Sequence, residues 1–300
     1  LNEKENEMKY AVKENARIVD SQVTPSPGAK DSSTSAVSTA GQTFRLLAFG
    51  YGLIAYTLFL GVYLYAIGFI GGFAVPTTLD SSARGPLVWA LLIDLLLLAL
   101  FAVQHSVMAR PGFKALWTRI VPKPIERSTY VLFSSLALIL LFAVWQPIGI
   151  VIWNAESPVA RAVLYGLMAA GFFIVLVATL LINHFDLFGM RQVWLFLRGR
   201  KYTPLRFKTP LFYKYVRHPL YVGWLMAFWA APTMTVAHFV FAVMTTAYIL
   251  VAIQFEERDL ITIHGKDYVR YRREVPMLIP RVPSAEGPGP GKIATGSECA

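Results

Sequence analysis

The chain has 300 residues, 55% of them hydrophobic and only 15% charged, well below the roughly 25% charged residues of a soluble globular domain. A water-soluble fold of ordinary composition is excluded, because so much apolar surface has to face something other than water. The formal net charge of +10 could suit nucleic acid, but the basic residues are confined to particular connections between apolar blocks, which argues for a membrane protein with no nucleic-acid partner.

Residues 1–42 are polar, rich in Ser, Thr and Ala, and balanced in charge. They read as a disordered extension rather than a signal peptide, since no apolar h-region precedes Phe44. Two apolar blocks follow, Phe44 to Gly71 and Pro86 to Met108, each long enough for the ~18 residues that span a bilayer. The second carries Asp94, Gln104 and His105. Ionisable groups inside a span are costly, so each is a functional candidate. Asp94 and His105 share a helix face about 16 Å apart along the axis, too far to pair. A partner on a neighbouring helix is the alternative role for Asp94.

Arg110, Lys114, Arg119, Lys123 and Arg127 then lead into two further spans, Ser128 to Trp145 and Val159 to Ile182. The next connection holds Asn183, His184 and Asp186, then Arg191, Arg198, Arg200, Lys201, Arg206, Lys208, Lys214 and Arg217; the alternate connections carry only Arg84 and Arg161. By the positive-inside rule the basic connections are cytoplasmic. The last apolar stretch, Pro219 to Gln254, is too long for one crossing and is interrupted at Ala231-Pro232-Thr233, which predicts two shorter helices in a hairpin. The expected fold class is all-α: a polytopic transmembrane bundle of four spanning helices plus a C-terminal hairpin. That makes five to six membrane helices, the smaller number applying if the last element is re-entrant. The membrane domain is expected over 43–281 and a second disordered tail over 282–300. Cys299 is the single cysteine, so no disulfide framework is expected, and 5 scattered histidines show no metal-ligand spacing.

This topology brings His105, the Asn183–Asp186 cluster, Arg217-His218-Pro219 and Glu256-Glu257-Arg258-Asp259 to one membrane face. Such convergence is what an active site at the membrane rim requires; polar groups capping helix ends in the headgroup layer would look alike one by one. Two segments are more specific. In RHPLYVG (217–223) Pro219 opens a helix and Gly223 leaves room for close packing or a ligand. In EERDLITIHGKDYVRYRREVPMLIP (256–280) a helix with two adjacent carboxylates stops at Gly265, expected as a left-handed cap, and a short basic helix follows.

Together these segments resemble the C-terminal half of the integral membrane methyltransferases, the isoprenylcysteine carboxyl methyltransferase and phospholipid methyltransferase superfamily. VQHSVMAR (103–110), RIVPKPIERSTYVLFSS (119–135) and NHFDLFGMRQV (183–193) are similar to its NnrU-like branch, and the combination to the bacterial methanethiol S-methyltransferases, over roughly residues 44–281. The resemblance implies S-adenosylmethionine held by about 210–281, over the hairpin end and under a short cytoplasmic C-terminal helical segment. Arg217, His218, Pro219 and Tyr221 match an Arg-His-Pro-x-Tyr signature, Glu256 and Glu257 the paired acids, and Tyr268, Tyr271 and Pro276 the Tyr-x-x-Tyr and Val-Pro elements. Backbone groups near His218 would suit adenine, and a carboxylate the ribose hydroxyls or amino group. The implied activity is methanethiol to dimethyl sulfide, with hydrogen sulfide a further acceptor, in the bacterial inner membrane.

A thiol is a poor nucleophile until ionised, and even a cysteine thiol has a pKa of about 8.5. A base is therefore expected: His184, oriented by Asp186 if the helix ends there, with Arg191 adding positive field and His105 in reserve. Competing readings are a methyltransferase for a lipid or prenylated peptide, and a non-enzymatic assembly factor or carrier; a carrier would show more midplane polar groups than Asp94. No Gly-rich loop after a buried strand is present, so helices and the terminal segment must bind the cofactor. The charge pattern also predicts that a reporter active only in the periplasm, fused after Arg281, stays silent; a strong signal overturns the orientation.

Overall fold

The structure is a computed structural model that describes residues 39–205 and 207–280. Apart from 39–42, which begin the first helix, the expected extensions 1–42 and 282–300 lie outside the described residues. In chain order the elements are α1 (Thr39–Gly71), α2 (Leu87–Ala109), α3 (Pro111–Trp117), α4 (Glu126–Val144), β1 (Val151–Asn154), α5 (Pro158–Ile182), α6 (His184–Leu187), α7 (Met190–Leu197), α8 (Pro219–Trp229), β2 (Thr233–Thr235), α9 (Val236–His264) and α10 (Lys266–Glu274). Five of them, α1, α2, α4, α5 and α9, are long and apolar enough to cross a membrane.

The chain is a polytopic helical bundle, and its first four spans fall where the apolar blocks predict. The terminal hairpin differs from expectation, because its arms are unequal. α8 has 11 residues, about 16 Å of helix, roughly half of a ~30 Å hydrocarbon core. α9 has 29 residues, about 43 Å, and crosses completely. Hydropathy falls after Gln254, yet the helix continues through Glu256-Glu257-Arg258-Asp259, because charged straight-chain residues leave the bilayer without leaving the helix.

A helix that stops inside the bilayer leaves carbonyls that lipid cannot satisfy. Here they are met by inward-folded connections. His238 Nε2 donates to Phe228 O at 3.0 Å, Trp153 Nε1 to Ala231 O at 3.0 Å, and Ala155 N to Pro232 O at 2.8 Å. β1 pairs antiparallel with β2, a feature the all-α expectation did not contain. Asp80, from the first connection, accepts from His238 Nδ1 at 2.7 Å and from Thr235 N at 2.9 Å. Asp94 is part of this inward cap: it is buried, and its Oδ1 accepts from Gln146 N, just past α4, at 2.9 Å. Its role in the fold is to tie α2 to the connection after α4.

The opposite end collects the basic connections. Arg45 of α1 lies over Phe196 of α7, 5.8 Å from the ring centroid, and Arg110 bonds Asp259 of α9 at 2.9 Å. Between the two ends the core is aromatic and aliphatic, with Phe69, Leu141, Phe142, Trp145, Phe172, Phe228 and Phe241 buried together. α5 and α8 run in contact because glycines face each other: a Cβ on Gly223 would lie 2.6 Å from Gly171 O and 2.9 Å from Val175 N. Gly223 therefore serves close packing. Gly223→Ala is expected to cost ~1–3 kcal/mol of overpacking, read as a lower unfolding temperature in detergent. Gly166→Ala, on α5 where an added Cβ meets nothing within 4 Å, leaves it unchanged.

Candidate active site

α8 starts at Pro219, whose fixed φ suits the first helical position and whose missing N–H is no loss there. The link before it is held by the segment that follows α10: Arg217 N donates to Pro276 O at 2.8 Å and His218 N to Met277 O at 3.2 Å. Those N–H groups, expected to face the adenine, are thus committed within the fold. The Arg217 side chain extends the tie. Its Nε donates to Glu257 Oε1 at 2.7 Å, and its Nη1 to Arg272 O at 2.9 Å and Val275 O at 2.6 Å. His218 Nε2 donates to the same Glu257 Oε1 at 3.1 Å. The Arg217 and Glu257 side chains are 11% and 7% exposed, a burial that stabilises only when both charges find several partners.

Glu256 faces elsewhere, because adjacent helical residues point about 100° apart. Its side chain is 43% exposed and lies 3.9 Å from His218 Nδ1, and Tyr221 Oη donates to its Oε2 at 2.9 Å. The paired acids therefore divide: Glu257 is consumed inside the fold, and Glu256 keeps open valence. Nearby, Tyr271 donates to Tyr213 O at 2.6 Å, and burial holds its phenol up at about 12. Tyr268 is buried with no hydroxyl partner among the described residues; burial first, then Glu257 and Glu256, push its ionisation up. Phe207 packs against both tyrosines and His264. Gly265 has positive φ as expected, but its ψ of −127° lies outside the left-handed helical region, turning the chain directly into α10.

His184 and Asp186 are not brought together. α5 ends at Ile182, Asn183 takes φ 150°, and helix resumes at His184, so residues two apart again face different ways. His184 Nε2 meets Tyr56 Oη and its Nδ1 meets Thr179 Oγ1, both at 2.8 Å. Tyr56, Phe59, Phe185 and Phe188 surround the ring, and burial lowers its pKa. Asp186 instead accepts from Arg191 Nη1 at 2.8 Å and Tyr202 Oη at 3.2 Å. Arg191 also donates to Thr203 O at 2.9 Å, so its charge is already matched.

His105 meets Tyr130 Oη at 2.8 Å through Nε2 and at 3.1 Å through Nδ1, and its Nδ1 also lies 3.1 Å from Ser134 Oγ. Neither partner was singled out from sequence. The available signal was their spacing of four within an otherwise apolar helix, which puts two hydroxyls on one face. Tyr248, also overlooked, accepts from Ser106 Oγ at 3.3 Å.

No family model matches the chain, and no solved structure does. Individual relatives do. The methanethiol S-methyltransferase of Crocosphaera subtropica is 62% identical over 243 residues, 81% of this chain and 94% of that protein. That of Mycobacterium tuberculosis is 51% identical over 236 residues, 79% of this chain and 97% of its own length. Human Nurim is 33% identical over 190 residues, 60% of this chain and 70% of Nurim. With five apolar helices, these relations define a multi-pass membrane protein of the integral membrane methyltransferase class. The chain belongs to the methanethiol S-methyltransferase family.

The division of the paired acids is testable. Glu257→Ala strands a buried guanidinium and is expected to cost ~3–5 kcal/mol, seen as a lower unfolding temperature and faster proteolysis within 265–280. Glu256→Ala leaves both measurements near wild type.

Proposed function

We propose that this protein transfers a methyl group from S-adenosylmethionine to methanethiol, giving dimethyl sulfide, with its basic face toward the cytoplasm of a bacterial inner membrane. The observation that carries the reading is a half-exposed Glu256 carboxylate, fixed by Tyr221, in a chain 62% identical to a methanethiol S-methyltransferase.

The residues present fit the donor. S-adenosylmethionine has ribose hydroxyls, an amino group, a carboxylate and a sulfonium. Glu256 offers an acceptor for hydroxyls or amine, and the partnerless Tyr268 hydroxyl offers a buried polar contact. Arg272, half exposed and 3.7 Å from Glu257 Oε2, offers a cation for the carboxylate, and Phe207 an aromatic face. Arg217, His218 and Glu257 act indirectly, by pinning the C-terminal segment over the start of α8. Bound there, the donor supplies an electrophilic methyl group on positively charged sulfur.

The protein's remaining task is to present a thiol as thiolate while excluding water. Of the two histidines, His105 is favoured for the proton. Both histidines have both nitrogens hydrogen-bonded, but Ser106 beside His105 bonds Tyr248 on α9, the helix that carries Glu256, whereas His184 is enclosed by aromatic rings.

The deciding experiment incubates purified protein in detergent with methyl-labelled S-adenosylmethionine, methanethiol and a phospholipid acceptor. Label is expected in volatile dimethyl sulfide; label in lipid alone overturns the reading. Glu256→Ala is expected to weaken donor binding by ~1.5–3 kcal/mol in calorimetry, and unchanged affinity removes Glu256 from the site.

A further inference from the structure

A cluster of hydroxyls and cations beside the donor region is left unused by the contacts above. Tyr130 on α4, His105 and Ser106 on α2, and Tyr248 on α9 belong to three different helices. Phe101 joins them: its ring stacks on His105 with centroids 5.2 Å apart and meets Tyr248 edge-on at 6.4 Å. Tyr248 lies on α9 eight residues, about 12 Å along the axis, before Glu256, the carboxylate that accepts from Tyr221. The cluster therefore continues from the proposed donor carboxylate into the bundle.

Its rim is cationic. Arg127 precedes Tyr130 by three residues on α4, the spacing of neighbours on a helix surface, and Arg110 directly follows α2. Arg127 Nε is buried and finds no partner among the described residues. Lys114 has its pKa lowered, by burial first and then by Arg127. The facing acids are Glu126, which acts on Lys114 from the first turn of α4, Asp259, paired with Arg110 at 2.9 Å, and Glu256, which accepts from Tyr221. A positive rim around phenolic hydroxyls favours an anion at their level. Helix-to-helix adhesion would explain the hydroxyl pairs and the positive-inside rule the cations, but neither explains a buried Arg127 Nε left without a partner among the described residues.

We propose that the thiol binds against this cluster, between α2, α4 and α9, with Tyr130 the catalytic residue that touches the sulfur and passes its proton to His105. This rests on the methyltransferase reading above. The thiol S–H bond breaks, its proton going to the Tyr130 oxygen as the Tyr130 proton moves to His105 Nε2. The electron pair left on sulfur forms the new S–C bond to the donated methyl, and the pair of the broken bond stays on the donor's sulfur, which becomes a neutral thioether. One proton remains on His105 and is returned to water. Ser134, 3.1 Å from Nδ1, is a positioning residue: it holds the ring edge against Tyr130, whose hydroxyl lies nearer Nε2 than Nδ1. Phe101 packs its ring against His105 and Tyr248 beside the hydroxyls, apolar surroundings that suit a small thiol.

The test uses the full chain in detergent and the variants Tyr130→Phe and His105→Gln. Wild type is expected to show a turnover nearly flat from pH 7 to 9. Tyr130→Phe is expected to bind S-adenosylmethionine within about twofold of wild type by calorimetry, to unfold at the same temperature, and to lose ~10²-fold in turnover at pH 7. Its rate should then climb about tenfold per pH unit, as solvent supplies thiolate unaided. His105→Gln carries the same expectation and decides the matter if Tyr130→Phe does not fold. A folded Tyr130→Phe with wild-type turnover and pH profile overturns the proposal, as does a loss that does not recover with pH. A loss of donor binding instead places Tyr130 in the donor site, which also overturns it. Wild type inactive on methanethiol sinks the underlying reading and this inference with it; active wild type with unaffected variants sinks this inference alone.

Discussion

One constraint shapes this molecule: in lipid, every backbone polar group has to be satisfied from within, yet α8 ends after about half a crossing. The carbonyls exposed at its end are met by Trp153, His238 and Ala155, which obliges the connections on that side to fold down into the bundle. β1 pairs with β2 on the same side, and Ala155 N and Val236 N extend that pairing to Pro232 O and Ile150 O. Asp80 braces His238 and the start of α9, and Asp94 braces the connection after α4. Buried polar groups that would be liabilities one at a time form a cap in which most find partners.

With its far end fixed and its flank pressed against α5 through Gly171 and Gly223, α8 delivers Arg217 and His218 to the level of Glu256 and Glu257. There a second economy operates. Of two adjacent carboxylates, one neutralises a buried guanidinium and thereby anchors the segment from Arg272 to Met277. That anchoring is what leaves the other carboxylate half exposed in a fixed position. A soluble methyltransferase builds its donor site on a Gly-rich turn after a strand. On the proposed reading a folded-back C-terminal segment does the same work, and the integrity of that site depends on one ion pair more than on any single ligand contact.

How far all this was legible in the sequence depends on which physical quantity each residue reports. Spans were legible because lipid demands long apolar runs, and Phe44–Gly71 or Val159–Ile182 have no other use. The unequal hairpin was not, since hydropathy marks where lipid ends rather than where a helix ends, and α9 runs on through its charged turns. Nor was the division between Glu256 and Glu257: identical side chains side by side differ only in helical phase relative to Arg217, which no local pattern states. His184 and Asp186 looked like a pair because they are near in sequence, but the resumption of helix at His184 sent Asp186 to Arg191 and Tyr202. Tyr130 and Ser134 were visible as two hydroxyls on one face of an apolar helix. Their partner on α2 required the fold.

The position of the proposed site also follows from its reactants. S-adenosylmethionine is charged and arrives from water, while a one-carbon thiol partitions readily into hydrocarbon. A site at the rim, between the basic loops and the ends of α2, α4 and α9, is reached from both phases. Proton removal belongs there too, because burying an unpaired thiolate deeper would be far more costly than holding it near Arg127 and Lys114. The thioether product has lost the S–H that bonded Tyr130 and carries no charge for the cationic rim to hold. Both attractions that retain the thiol on the proposed reading therefore vanish in the chemical step, and the product leaves into lipid without any further change in the protein.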